Sequence, residues 1–100
     1  MKYFKHLFDS AAAALVAIFF EQRHADKAIE HYFKTHKKWG KRDRKFFAET
    51  VYEAVRWWNQ YVYLASAEGL SPLETAHRCI SVDLVLNSQA LPEWYAGLFS

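Results

Sequence analysis

One periodic pattern limits the fold of this chain more than any other feature. Phe47, Val51, Ala54, Trp58, Tyr61, Val62 and Ala65 recur at steps of three and four residues, the spacing that keeps side chains on one side of an α-helix and scatters them over both sides of a strand. A face this long demands a partner surface made of other helices. The rest of the sequence can supply it: hydrophobic residues make up 52% of the chain and aromatics 18%, while 3 Gly and 2 Pro leave too few turn residues for an all-β fold. One hundred residues is the size of one domain. The expected fold class is all-α, a bundle of four to five helices.

Read in order, the chain begins with a helix expected from residue 3 to about residue 22, rich in Ala and free of Gly and Pro, with Leu7, Ala11, Ala14, Leu15 and Ile18 as its inward stripe. A second helix is expected over residues 25 to 37, with Ala25, Ala28, Ile29, Tyr32 and Phe33 on one side. Gly40 follows Lys37 and Lys38, an arrangement that suits a helix C-terminus, where cations meet the dipole and Gly adopts the left-handed closing conformation. The third helix is expected to start between Lys41 and Asp43 and to run to about Ser66, with a bend near Asn59. Glu68-Gly69-Leu70 is the next break, and Ser71-Pro72-Leu73-Glu74 carries a complete start signal: a capping Ser, a first-turn Pro and a Glu three residues on. That fourth helix continues through Ala76, Ile80, Leu84 and Val85 and is expected to end at Asn87-Ser88, with a short last helix starting at Pro92.

Charge is distributed unevenly. Residues 34 to 45 hold Lys34, Lys37, Lys38, Lys41, Arg42, Arg44 and Lys45 against Asp43 alone, a local charge of +6 in a chain whose net charge is +2. Residues 46 to 100 carry six acids against Arg56 and Arg78. Such asymmetry points to a polyanionic partner, and Arg56 is counted as an extension of the same footprint. Backbone N–H groups at the start of the third helix add to the attraction. The competing reading of the cluster is a solvated turn that keeps the domain soluble. Asp43 is expected to act as the N-cap of the third helix or to aim Arg42 and Arg44 by pairing with them.

Other chemistry is scarce. Trp57, Trp58, Tyr61 and Tyr63 invite a base-stacking reading, but Trp58 and Tyr61 fall on the core face and leave only Trp57 or Tyr63 for exposure. His6, His24, His31, His36 and His77 form no pair spaced for zinc, so no metal is expected. Cys79 is the sole cysteine, which rules out an internal disulfide and fits a reducing cytoplasm, and two residues from His77 it points to a different helical face. The longest apolar run, Ala11 to Phe20, is half the length a membrane span needs. With Met1-Lys2-Tyr3-Phe4-Lys5 it imitates a signal peptide, yet Asp9 interrupts the approach and no small-x-small cleavage site follows. No glycine-rich loop follows a strand pattern, so a nucleotide-type cofactor has no place here.

Ala25-Asp26-Lys27-Ala28, Tyr32-Phe33, Gly40-Lys41-Arg42-Asp43-Arg44-Lys45-Phe46 and Glu49-Thr50-Val51-Tyr52-Glu53-Ala54-Val55-Arg56 together resemble the N-terminal helical domain of RsmB-type (Fmu/Sun) RNA cytosine-5 methyltransferases, whose fold is that of NusB. The resemblance is densest from residue 23 to residue 58, and Leu91-Pro92-Glu93-Trp94 resembles the junction with the catalytic part. It implies a NusB-like RNA-binding domain over residues 1–90 and the start of a linker over 91–100. It implies a cytoplasmic protein that holds RNA, ribosomal RNA first, and neither DNA nor a membrane. The expected RNA-binding residues are Lys34, Lys37, Lys38, Lys41, Arg42, Arg44, Lys45 and Arg56. The catalytic domain and its S-adenosylmethionine would belong to the full-length protein; no catalytic residue and no cofactor is expected in this chain. Glu53, where the family often has Gly, and Trp57-Trp58-Asn59, where basic residues are common, depart from the pattern and lower the positive charge of the third helix. Two other readings stand beside this one: a helical protein-interaction domain, since NusB-like folds also bind partner proteins, and a structural cap that only shields a catalytic domain.

Overall fold

A computed structural model describes residues 5–66 and 68–86. The expected linker over 91–100, the short helix from Pro92 and the end of the fourth expected helix at Asn87-Ser88 lie outside the described residues. Those residues form five α-helices and no strand: α1 (Lys5–Phe20), α2 (Ala25–Thr35), α3 (Lys41–Arg56), α4 (Trp58–Leu64) and α5 (Pro72–Leu86). No helix among them is long and apolar enough to cross a membrane.

Helix α1 is the axis of the bundle. It packs most extensively on α5 and α3 and also touches α2, so it is buried on more than one side. That is why Phe8 and Ala12 join Leu7, Ala11, Ala14 and Leu15 in the fully buried core, and why the narrow inward stripe expected for it is too narrow. Ile18 is only half-buried, against the edge of the core. The run of alanines lets the neighbouring backbones come close, and Phe8, Phe47, Ile80 and Leu84 fill the space between them. Helix α1 also stops two residues earlier than expected. Gln22 turns into the left-handed region (φ 59°), and the Arg23 N–H reaches back to the Ala17 carbonyl at 2.9 Å, covering one of the last orphan acceptors.

The long third helix is broken. At Trp57 the backbone leaves helical values (φ −112°, ψ 21°), two residues before the expected bend, and α4 begins at Trp58. Neither Gly nor Pro causes this; the packing does. The break lays Trp58 flat on Phe19 (4.0 Å between centroids, 8° between planes). One turn on, the buried Tyr61 hydroxyl donates to the carboxylate of buried Asp83 on α5 at 2.9 Å. A straight helix would have to give up these contacts. Trp57 and Tyr63 are left on the outside, and Arg56 lies over the Trp57 ring at 5.1 Å.

The start of α5 follows its sequence signal. Ser71 Oγ accepts the Glu74 N–H at 3.2 Å and donates to Glu74 Oε1 at 2.9 Å. Gly69, at φ 83°, makes the turn that precedes it.

Candidate nucleic-acid interface

The basic segment crosses three local structures. Lys34 lies in the last turn of α2, Lys37 and Lys38 in the connecting turn, and Lys41, Arg42, Arg44 and Lys45 in the opening turns of α3. All seven are exposed. Helix α2 ends at Thr35 and not at residue 37, because His36 swings out of helical geometry (φ −117°, ψ 61°) while its N–H still bonds the Tyr32 carbonyl at 2.9 Å. Gly40 does not close α2 in a left-handed conformation: at φ −77°, ψ −179° it is extended and serves as the N-cap of α3, its carbonyl accepting the Arg44 N–H at 3.0 Å. Asp43 is therefore not the N-cap. It is the third residue of α3, where its charge still favours the positive end of the helix dipole, and no ion pair joins it to Arg42 or Arg44 among the described residues.

What holds this turn is a ladder of rings. Tyr32 and His36 stack at 5.7 Å (12° between planes), and His36 and Trp39 at 4.4 Å (18°). Trp39 is buried, packs on Phe47 at 5.0 Å, and donates its indole N–H to His6 Nε2 on α1 at 2.9 Å. That geometry requires an unprotonated Nε2 on His6. Thr35 Oγ1 donates back into α2, to the His31 carbonyl at 3.0 Å. The two lysines of the turn thus ride on an anchored backbone. None of His6, Tyr32, Thr35, His36 and Trp39 was a candidate from the sequence. The signal for them is a large apolar residue, Trp39, set inside a run of cations, with His36 four residues after Tyr32 and three before Trp39.

The seven cations do not form one strip. On a 100° per residue helix Lys45 points directly away from the face buried by Phe47, Thr50, Val51 and Ala54, and Lys41 and Arg42 flank it on either side, still turned outward. Arg44 turns towards α2 and lies over the Phe33 ring at 5.7 Å. Lys34, Lys37 and Arg44 border a hollow of about 450 Å³ between α2 and α3, together with Asp26, Ile29, Glu30 and Phe33. On the other side of the turn, Lys34, Lys37 and Lys38 border a hollow of about 680 Å³ with His6, Thr35, His36, Trp39 and Asp43. Of the seven, Lys34 alone is neutralised among the described residues, by Glu30 at 2.9 Å, and this lysine holds the Glu30 carboxyl below the usual carboxylate range. Lys37, Lys38, Lys41, Arg42 and Lys45 make no ion pair among the described residues.

Arg56 stands apart from these seven. Fifteen residues along α3 place it roughly 22 Å from Lys41. Glu49 and Glu53 intervene on the same helix and, with Asp83 of α5, line an acidic hollow of about 370 Å³. The molecule is thus basic at the α2–α3 turn and acidic along the α3–α5 seam.

Cys79 is fully buried and its thiol is pushed up to about 12 by loss of hydration, the reverse of an activated nucleophile. No group of three His, Cys, Asp or Glu side chains among the described residues is placed to hold a metal ion. The described residues include no strand after which a glycine-rich nucleotide loop could stand. Comparison with protein-family models, with curated proteins and with solved structures finds no match for this chain.

Proposed function

We propose that this chain is a NusB-like RNA-binding domain of an RNA cytosine-5 methyltransferase, gripping structured RNA, ribosomal RNA first, by its phosphates at the α2–α3 turn. The observation that carries the reading is a cluster of exposed, unneutralised cations on a turn that Trp39 and His36 pin to the body of the domain. Pinning matters because positions fixed in advance cost less entropy on binding. The RNA, its ribosomal source, the cytoplasmic setting and the methyl-transfer context come from the resemblance of residues 23–58. On this reading a following domain supplies S-adenosylmethionine binding and methyl transfer to cytosine carbon 5, and this chain alone is inert.

The test is binding to small-subunit ribosomal RNA fragments across a salt series. Lys37, Lys38, Lys41, Arg42, Arg44 and Lys45 on single-stranded phosphates give a slope of log affinity against log salt of about −4, so raising salt fourfold weakens binding by roughly 250-fold. Changing Lys41, Arg42 and Lys45 together to Ala halves the slope to about −2 and so cuts the penalty of the same salt step from roughly 250-fold to roughly 16-fold. These three are chosen because they face solvent, whereas removing Arg44 would also strip Phe33. Binding that ignores the triple change refutes the reading.

A second reading has its own observation. Tyr63 is 83% exposed and Leu64 56%, bordering with Asn59 and Gln60 a hollow of about 410 Å³, and such apolar exposure suits a protein partner. Capture that survives high salt and is lost on Tyr63→Ser with Leu64→Ser would favour it.

A further inference from the structure

We propose that the hollow between α2 and α3 is a slot for one unpaired nucleobase carrying an exocyclic amino group, stacked on Phe33 and covered by Arg44. The proposal rests on the RNA-gripping reading and adds what that reading lacks, a contact to a base.

The argument starts from α2. Asp26, Glu30, Phe33 and Lys37 follow one another at steps of four, three and four and so share one stripe of the helix and its turn. Phe47 packs against the Phe33 ring in a tilted contact, at 6.0 Å between centroids and 56° between planes, which holds the ring in place. Over the ring lies the Arg44 guanidinium, at 5.7 Å. A planar cation above a half-buried ring is the pair of surfaces that holds an unstacked base in single-stranded RNA. Stacking between two flat groups needs roughly 7 Å between them, so Arg44, which is exposed, has only to lift by a little over an ångström to admit one.

The rim decides what enters. A site for phosphate alone would not place two carboxylates at its edge, yet Asp26 and Glu30 border this hollow. Each has one oxygen engaged, by the Tyr52 hydroxyl and by Lys34 respectively. The other oxygen of each can only accept. Acceptors at the edge complement the amino donors of guanine, cytosine or adenine and oppose the two carbonyls of uracil. Phosphate is kept to the Lys37 and Arg44 side of the rim. The hollow, of about 450 Å³, is shallow and open, so it offers a base a stacking platform with a polar rim and leaves the rest of the nucleotide in solvent.

The experiment uses the whole chain with three probes: a uridine heptamer, the same heptamer with one central guanosine, and a duplex of equal length. The native chain is expected to prefer the guanosine heptamer over the uridine one by about 5-fold or more. Phe33→Leu keeps an apolar floor and all charge; Arg44→Lys keeps charge and loses the plane. Each is expected to lower the ratio of guanosine-heptamer to duplex affinity by about 5-fold or more, at an undiminished salt slope. Arg44 is a surface residue, so its variant tests the slot even where Phe33→Leu fails to fold. Ratios unchanged in both variants, with the salt slope intact, overturn the slot and leave the phosphate grip standing. Equal native affinity for the two heptamers overturns the choice of base, and no binding to any probe overturns both readings.

Discussion

The contact that most directly joins the candidate interface to the core is the indole hydrogen bond between Trp39 and His6, and its worth can be set out before it is measured. Trp39→Phe removes a neutral hydrogen bond of 2.9 Å. His6 is exposed and can turn its freed Nε2 to water, so the loss stays within the ordinary range of about 0.5–1.5 kcal/mol, with no penalty for a stranded polar atom. The ring change withdraws roughly 50 Å² of apolar burial, since indole and phenyl sit at different points in the aromatic range; at about 25 cal/mol per Å² this is roughly 1.2 kcal/mol. Together they come to about 2 kcal/mol, a drop in melting temperature of roughly 8–16 °C for a domain of this size.

Urea unfolding followed by far-ultraviolet circular dichroism measures the loss for Trp39→Phe, His6→Ala and the double variant. The double-mutant cycle isolates the hydrogen bond from whatever else each side chain does, and the coupling is expected at about 0.5–1.5 kcal/mol. A coupling below about 0.3 kcal/mol, the scatter of non-interacting sites, refutes the bond as the tether of the turn. The same variant should bind RNA more weakly without losing salt slope, because the cations remain while their fixed placement is lost.

Three further outcomes follow from buried polar groups. Tyr61→Phe removes the hydroxyl that donates to Asp83 at 2.9 Å inside the α4–α5 contact and is expected to cost about 1.5–3 kcal/mol, the range for a hydrogen bond to a charged acceptor, read as a shift of the urea midpoint. His77 lies 3.7 Å from an Asp9 carboxylate that Lys5 already holds at 2.9 Å; burial outweighs this weak pairing and moves the imidazole below its ordinary 6.5. The unfolded chain then takes up the proton first, so stability is expected to hold above about pH 6.5 and to fall as the pH drops through the lowered value, with His77→Gln flattening that slope. Cys79, buried and with its thiol at about 12, is expected to ignore an aromatic disulfide reagent at pH 8 in the native protein and to react at once in urea; fast native reaction would refute its burial.

Where the sequence speaks through neighbours in the chain, it is readable. Ser71, Pro72 and Glu74 specify the start of α5 because capping involves atoms three residues apart, and the long apolar stripe from Phe47 foretells both α3 and the inward aim of Tyr61. The exact place of the break, at Trp57 and not near Asn59, escapes the same reasoning. Periodicity continues straight through it, and the reason to bend is a ring on α1, Phe19, and a carboxylate on α5, Asp83, neither of which the pattern of α3 contains. The assignment of Asp43 as cap failed for a related reason: several residues before it fit a helix start, and the choice of Gly40 follows the turn that Trp39 anchors.

The candidate interface divides along the same line. Charge is a property of residue types, so the cluster from Lys34 to Lys45 stands out in the sequence. Its division into outward cations and cations facing a ring depends on helix phase, which could be read only once the start of α3 was known. The start at Lys41, at the early edge of the expected window from Lys41 to Asp43, places Lys41 and Arg42 inside the helix and so fixes their directions along with those of Arg44 and Lys45. The tether of the whole arrangement spans 33 residues, from Trp39 to His6. A contact at that separation leaves no local periodicity, and it is this contact that turns a run of lysines into a surface with fixed positions.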